Sequence, residues 1–317
     1  MNEMVSVIIP THNRCESLRI ILDSVSRSDY RNLEIIVVDN ASTDETEKAV
    51  ALFCGNSPFA VCYVKNDDGF NVSEARKKGA DSARGEYLLF IDDDNRIYPD
   101  MISALVEFLK EHPGTGLAAP LSLGGAEGKN VGALGCGINL RTSKAMFQSS
   151  GIPLDQVESS GRYPTTAATN SFMMTREAYE KSGGWDPYLK ISYEETDLGL
   201  RLHQAGFEQY YAPKACTLHL GAVAEGENSS LRGLGIGTCG RAYYFARNRS
   251  IMMRRYAAPA GRVIYFAFYL HAFTCYYVIS ALRFGRPDLA WDYLKGAWTG
   301  CFCRKYAAKR AEMKQTE

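Results

Sequence analysis

The 317-residue sequence lacks the residue spacings that build metal or disulfide frameworks. Its nine cysteines are odd in number and include no C-x-x-C pair; only Cys301 and Cys303 fall close together. Five scattered histidines offer no zinc-ligand spacing. A disulfide-stapled or zinc-held module is thereby excluded, and free, mostly buried thiols in a reducing compartment are expected. No basic segment followed by a long apolar run opens the chain, so no secretory signal is expected and the cytoplasm is the default location. There is no internal repeat. Net charge is missing too, since 36 Lys/Arg balance 36 Asp/Glu. That balance conceals a division. Residues 1–227 carry 21 Lys/Arg and 32 Asp/Glu, whereas residues 228–317 carry 15 and 4. Between Asn228 and Pro287 acids are absent altogether while nine arginines remain. An acidic soluble domain (1–226) joined to a part that meets an anionic surface (227–317) is the expected organisation, with no nucleic-acid partner.

What is present begins with Tyr87-Leu88-Leu89-Phe90-Ile91, running straight into Asp92-Asp93-Asp94-Asn95. A short continuous apolar run reads as a buried parallel strand. The acids then stand at its carboxyl end, where open α/β sheets bind ligands. Asp92 and Asp94, two apart, can offer oxygens to one hard cation that holds a diphosphate. An acidic turn or a helix cap would use the same residues. Strands are expected at Val5–Ile9, Leu33–Val38, Ala60–Val64 and Tyr87–Ile91. They alternate with helices at 15–28, from Ser42-Thr43-Asp44-Glu45 onward, at Glu74–Ala83 and at Pro99–Leu109. Four such alternations imply α/β architecture with a doubly wound, mostly parallel sheet. Beyond Pro120 the pattern loosens. Gly124–Gly137 reads as a mobile loop, Ser171–Thr175 as a strand, Glu194–Ala205 as a helix stopped by Gly206, and Phe207–Ala212 and Ala215–His219 as two late strands.

The strings V-S-V-I-I-P-T-H-N-R, I-I-V-V-D-N-A-S-T-D, Y-L-L-F-I-D-D-D-N, G-G-W-D and E-E-T-D-L-G-L-R-L occur in this order across roughly residues 4–221. Together they resemble the inverting family-2 glycosyltransferases of GT-A fold. The resemblance implies that Pro10, Thr11, Asn13, Arg14 and Asp39 hold a nucleotide base and ribose, with Asn66, Gly69 and Arg76 lining the pocket. Lys77 stands where many members have Asn. Asp92-Asp93-Asp94 corresponds to the D-x-D motif, in which Asp94, with Asp92, would hold Mn²⁺ or Mg²⁺ and the donor, a nucleotide-diphosphate sugar. His219 matches a late histidine that completes the metal or diphosphate site in some relatives; a core histidine is the alternative. Glu194-Glu195-x-Asp197 aligns with the E-D-x-D-L motif, so Glu195 is the expected general base, with Glu194 and Asp197 open. An acid in a first helical turn is also favoured in its ionised form by the helix dipole. Trp185 and Asp186 would border a sugar.

Val263–Leu282 carries no charge, contains seven aromatics and is flanked by Arg262 and Arg283. As a helix it would be about 30 Å long, enough to cross a bilayer. Its tyrosines run throughout rather than at the ends, which favours a helix lying in the cytoplasmic leaflet; a true span and a buried packing helix remain open. Arg247-Asn248-Arg249 resembles an R-N-R element of bacterial-type transferases that use lipid-linked or cell-envelope acceptors. The expected function is transfer of a sugar to a glycan or lipid-linked hydroxyl at the cytoplasmic membrane face. A nucleotidyltransferase and a catalytically silent binding protein are the alternatives. Donor base, sugar, acceptor and oligomeric state are not encoded in any pattern above.

Overall fold

The computed structural model describes residues 3–67, 71–124, 128–168, 170–221 and 229–303. Gly69, one of the expected pocket residues, lies outside these. Two compact units emerge: Met1–Gly137, Phe147–Tyr188 and Leu198–Ala222 form the first, and Ile138–Met146, Leu189–Asp197 and Val223–Glu317 the second.

In the first unit, β1 (Val5–Thr11), α1 (Cys15–Ser26), β2 (Leu33–Asp39), α2 (Thr46–Asn56), β3 (Ala60–Lys65), α3 (Val72–Ser82) and β4 (Tyr87–Ile91) alternate as the apolar periodicity predicts. They continue into β5 (Asn95–Ile97), α4 (Met101–Glu111) and β6 (Thr115–Gly124). The short strands β7 (Asn130–Val131), β8 (Gly135–Ile138), β9 (Ala145–Gln148) and β10 (Tyr163–Pro164) precede β11 (Ser171–Thr175), α5 (Arg176–Lys181), α6 (Glu194–Gln204, whose residues 194–197 belong to the second unit) and β12 (Glu208–His219). The main sheet has the order β10-β12-β6-β11-β4-β1-β2-β3. Strands β3, β2, β1 and β4 run parallel, and β11 enters antiparallel between β4 and β6. Every residue of β1, β2 and β4 is buried, as a sheet covered on both faces requires. One face packs Leu18, Ile21 and Leu22 of α1 with Met101, Ile102 and Leu105 of α4. The other packs Ala75 of α3, Tyr179 of α5 and Leu198 and Leu202 of α6.

Three expectations need correction. Strand β6, ten residues long, was not legible, because Gly116, Ala118, Ala119 and Pro120 lower strand propensity in a segment whose burial nonetheless makes it a strand. Pro120 is accommodated at a register shift against β12, where a missing N–H costs no regular ladder bond. The two late strands are one strand, β12, irregular between Ala212 and Cys216 around Pro213. The Gly-rich stretch 124–137 is not all loop; it contains β7 and most of β8.

The second unit contains α7 (Ser229–Gly233), α8 (Cys239–Tyr256), α9 (Pro259–Ile264), a π-helical turn at Tyr265–Tyr269, α10 (Leu270–Arg283) and α11 (Pro287–Phe302). Helices α8 and α11 approach closely: a Cβ on Gly296 would lie 2.1 Å from the Tyr243 carbonyl oxygen, so only glycine fits there. Pro259–Arg283 forms 25 helical residues with an 18-residue stretch of mean hydropathy 1.4, long and apolar enough to cross a membrane by length and composition. Tyr265, Leu270, Tyr277 and Ala281 bury one face of it, while Val263, Ile264, Phe268, Tyr276, Ile279 and Leu282 are exposed. Four of the arginines expected at an anionic surface are engaged inside the protein, whereas Arg241 and Arg283 are exposed. Arg247 and Arg249 are buried, Arg254 lies over the Phe266 ring and donates to the Cys301 carbonyl, and Arg255 pairs with buried Asp197. Planar guanidinium groups stack well on aromatic faces, and this unit is rich in them.

Candidate active site

In this strand order the chain steps from β3 across β1 to β4, so the crevice between the carboxyl ends of β1 and β4 is the topological switch point. Buried, hydrogen-bonded side chains converge there. Thr11 at the end of β1 donates its hydroxyl to Asp93 at 2.7 Å. Arg14, the residue before α1, bridges Asp93 at 3.0 Å and Asp94 at 3.4 Å. Burial pushes the Asp93 carboxyl up to about 6, against the opposing pull of Arg14 and the Thr11 hydroxyl. His219 reaches the same place because β5 pairs antiparallel with β12, setting Asn95 opposite His219. Its Nε2 lies 3.5 Å from Asp94 Oδ2.

Asp92 points to a different partner. Arg76 of α3 donates to its Oδ1 at 2.7 Å, and the Arg76 guanidinium lies 4.9 Å over the Trp185 ring. Trp185 is 2% exposed and meets Phe90 edge-on at 5.3 Å. A ring so buried cannot present its face to a sugar. In this structure Trp185 supports Arg76 from the core, which corrects the expectation that it borders the substrate. Asp186 accepts from the Tyr188 amide at 3.1 Å and shapes the turn.

At the end of β2, Asp39 accepts from Tyr63 Oη at 2.5 Å and from the Ser42 amide at 2.9 Å. Desolvation first, and that carboxylate second, hold the Tyr63 phenol protonated far above its usual range. Asn66 donates its backbone N–H to the Asp39 carbonyl and its side-chain amide to Asn40. Asn13 adopts φ 50° and accepts from the Thr43 amide at 2.7 Å, while Asp44 accepts from the first amide of α1. The loops after β1 and β2 are thus laced together, with buried Pro10 in register against Val38. Lys77 forms a half-exposed pair with Asp81 along α3. Tyr63, Asn40 and Asn71 were not singled out by sequence. Asn71 caps α3 by accepting from the Glu74 amide, and donates to the Pro187 carbonyl. Its Asn-x-x-Glu spacing was a readable cap signal.

Among the described residues no three His, Cys, Asp or Glu side chains converge as a metal group. A carboxylate oxygen and an imidazole nitrogen 3.5 Å apart nevertheless suit a cation whose other ligands are substrate phosphates and water, the usual mode for Mg²⁺ at diphosphates. The residues present fit such a cation, and Asp94 and His219 would be its protein donors.

The acids of α6 have distinct environments. Asp197 is fully buried, ion-paired with Arg255 and hydrogen-bonded by Tyr256 Oη at 2.6 Å. Glu194 is 6% exposed, and Glu195 more accessible. Asp197 is thereby committed to a structural cation.

Residues 6–132 match the model of glycosyl transferase family 2. This stretch, less than half of the chain, is similar to a family-2 glycosyltransferase domain. An uncharacterized glycosyltransferase of Haemophilus influenzae is 28% identical over 112 residues, 35% of this chain and 36% of that protein. The chain thus spans about a third of the length of the curated relatives it matches. The fold is also that of two solved transferases. GalNAc-T7 with UDP, GalNAc and Mn²⁺ superposes with a TM-score of 0.60 at 19% identity, over 84% of this chain and 54% of that one. The mannosyltransferase PcManGT of Pyrobaculum calidifontis, with GDP-Man and Mn²⁺, gives 0.58 at 17%, over 96% and 88%. The architecture is therefore the GT-A fold, followed by a helical C-terminal region with one long apolar helix.

Proposed function

We propose that this protein is an inverting glycosyltransferase that moves a sugar from a nucleotide-diphosphate sugar to a hydroxyl of a glycan or lipid-linked acceptor at the cytoplasmic face of a membrane. The observation that carries this reading is the convergence of Thr11, Arg14, Asp93, Asp94 and His219 at the switch point of a domain similar to family-2 glycosyltransferases. Nucleotide-sugar and Mn²⁺ binding by proteins of the same fold supports the donor class.

Asp39, held by Tyr63, is assigned to the base and ribose together with Pro10, Thr11, Asn13 and Asn66. Asp94 and His219 would hold a divalent cation, Mn²⁺ or Mg²⁺, which when bound neutralises the leaving diphosphate. Arg76 fixes Asp92 beside it. Glu195 is assigned as general base, with Glu194 the alternate. It takes the proton of the acceptor hydroxyl as that oxygen bonds to the anomeric carbon; the bond from that carbon to the diphosphate oxygen breaks, and the nucleoside diphosphate leaves with the electron pair. The charge developing on the sugar ring makes the transition state oxocarbenium-like, as in glycoside hydrolysis. Residues 1–226 are proposed to do this chemistry and residues 227–317 to bring it to the membrane, through the exposed apolar side chains of the 259–283 helix rather than through the buried arginines.

The test is Glu195→Gln, which keeps size and hydrogen bonding but removes basicity. Turnover should fall about 10²–10⁴-fold while donor binding by calorimetry is retained. Near-wild-type turnover in Glu195→Gln, with Glu194→Gln inactive, would move the base by one residue; full turnover in both would remove it from α6.

A further inference from the structure

Immediately before Glu194, the second unit holds three non-glycine residues in left-handed backbone: Lys190 at φ 58°, Ser192 at 66° and Tyr193 at 67°. Residues of this kind visit that region rarely, and a run of them persists only where surrounding contacts over-determine it. One helix supplies several of those contacts. Asn248 of α8 is fully buried and directs its side-chain N–H₂ to three carbonyl oxygens, of Leu189 at 2.7 Å, Ile191 at 3.0 Å and Ser192 at 2.8 Å. Next to it, Arg249 is 4% exposed. Its Nε donates to Tyr193 Oη at 3.0 Å, and its terminal nitrogens donate to Tyr293 at 3.1 Å and Tyr277 at 3.2 Å. The rings of Phe273 and Phe245 lie 4.4 and 4.5 Å from the guanidinium carbon. A cation solvated by phenols and rings is an expensive way to fill a core that an apolar side chain would fill as well. At the end of α8, Arg255 and Tyr256 hold Asp197.

Tyr193 and Asp197 are therefore pinned on either side of Glu194 and Glu195, and the Asp197 amide closes the first turn on the Tyr193 carbonyl at 2.9 Å. We infer that Asn248, Arg249 and Arg255 are positioning residues that set the first turn of α6 and thereby the direction of the general base. The inference rests on the assignment of Glu195 above. It gives the R-N-R element a role as a clamp behind the catalytic acid instead of a membrane contact, and it explains why those arginines are inside the protein.

The experiment uses the full chain with Asn248→Asp, Arg249→Met, Arg255→Met and Arg255→Lys, beside Glu195→Gln. Asn248→Asp preserves shape but places an oxygen against three carbonyls. Displacing a catalytic group by about 1 Å costs on the order of 10²-fold. The expected result is kcat lower by about that factor, unchanged donor KM and nucleotide affinity, and activity recovered in Arg255→Lys relative to Arg255→Met. Backbone amides 193–197 should exchange faster with deuterium in Asn248→Asp while those of β1 and β4 do not. Should Asn248→Asp fail to fold, the Lys and Met pair at Arg255 decides. Equal kcat in folded variants, or kcat and nucleotide affinity falling together with the folded fraction, would overturn the clamp. Failure of the underlying assignment looks different: Glu195→Gln would stay active while local exchange at 193–197 still responded to Asn248.

Discussion

Asp93 offers a sharp contest between two effects. Burial disfavours its charge, and Arg14 at 3.0 Å with the Thr11 hydroxyl at 2.7 Å favours it; burial prevails, taking the carboxyl from 3.8 to about 6. A carboxyl whose folded value lies above its unfolded value binds its proton more tightly when folded. Its contribution is therefore neutral below about pH 4, turns unfavourable as pH rises towards 6, and is constant above that. At roughly 1.36 kcal/mol per pK unit, the ionised group costs about 3 kcal/mol at pH 7 and about half of that at pH 5. Asp93→Asn removes this cost. It also removes one acceptor from Arg14, but that loss does not vary with pH, and Arg14 retains Asp94 at 3.4 Å. Urea unfolding of both proteins between pH 5 and 7.5 isolates the term, because the depressed carboxylates Glu34 and Asp44 titrate identically in each. Relative to wild type, Asp93→Asn should gain about 1 kcal/mol on going from pH 5 to pH 7. A flat difference, or one that moves against the variant as pH rises, would show that Arg14 outweighs burial.

Other expectations are independent of that balance. Asp94→Ala should abolish the metal dependence of nucleotide binding, measured by titration with and without Mn²⁺, while the folded circular-dichroism signal persists; unaltered Mn²⁺ dependence would exclude Asp94 as a ligand. Gly199→Ala should destabilise by about 1–3 kcal/mol or more, because its Cβ would fall 2.0 Å from the Thr166 carbonyl oxygen in a packed core; an unchanged urea midpoint would refute the crowding. If exposed Phe268, Ile279 and Leu282 rather than the arginines carry the membrane contact, as proposed, the full chain should sediment with vesicles even at high salt and on neutral lipid. Release of the protein at high salt would restore an electrostatic explanation.

The parallel half of the sheet was legible because β1, β2 and β4 are buried on both faces and read as unbroken apolar runs. The acids at their ends were legible because polar residues directly after such runs have few structural uses. What escaped depends on tertiary context. β6 is a strand through burial between β11 and β12, not through propensity. Trp185 was placed at the substrate from its turn and its chemistry, but the aromatic cluster of Phe90 and Phe172 claims it. Arg249 of α8 was read by its charge and its place in the R-N-R element, and neither reveals that Phe273 and Tyr277 of α10 and Tyr293 of α11 enclose it. The burial of Asp197 has no local signal either, since Arg255 and Tyr256 lie about sixty residues away in the chain.

The central claim is nucleotide-sugar turnover at the β1/β4 crevice. Its most direct test incubates the purified full chain with a panel of nucleotide-diphosphate sugars, Mn²⁺ and extracted membrane lipids, and measures nucleoside diphosphate released. Release is expected from at least one donor, dependent on acceptor and on divalent cation, and lost in Asp94→Ala and Glu195→Gln. Release that is undiminished in both variants, or no release and no binding with any donor, would contradict that claim.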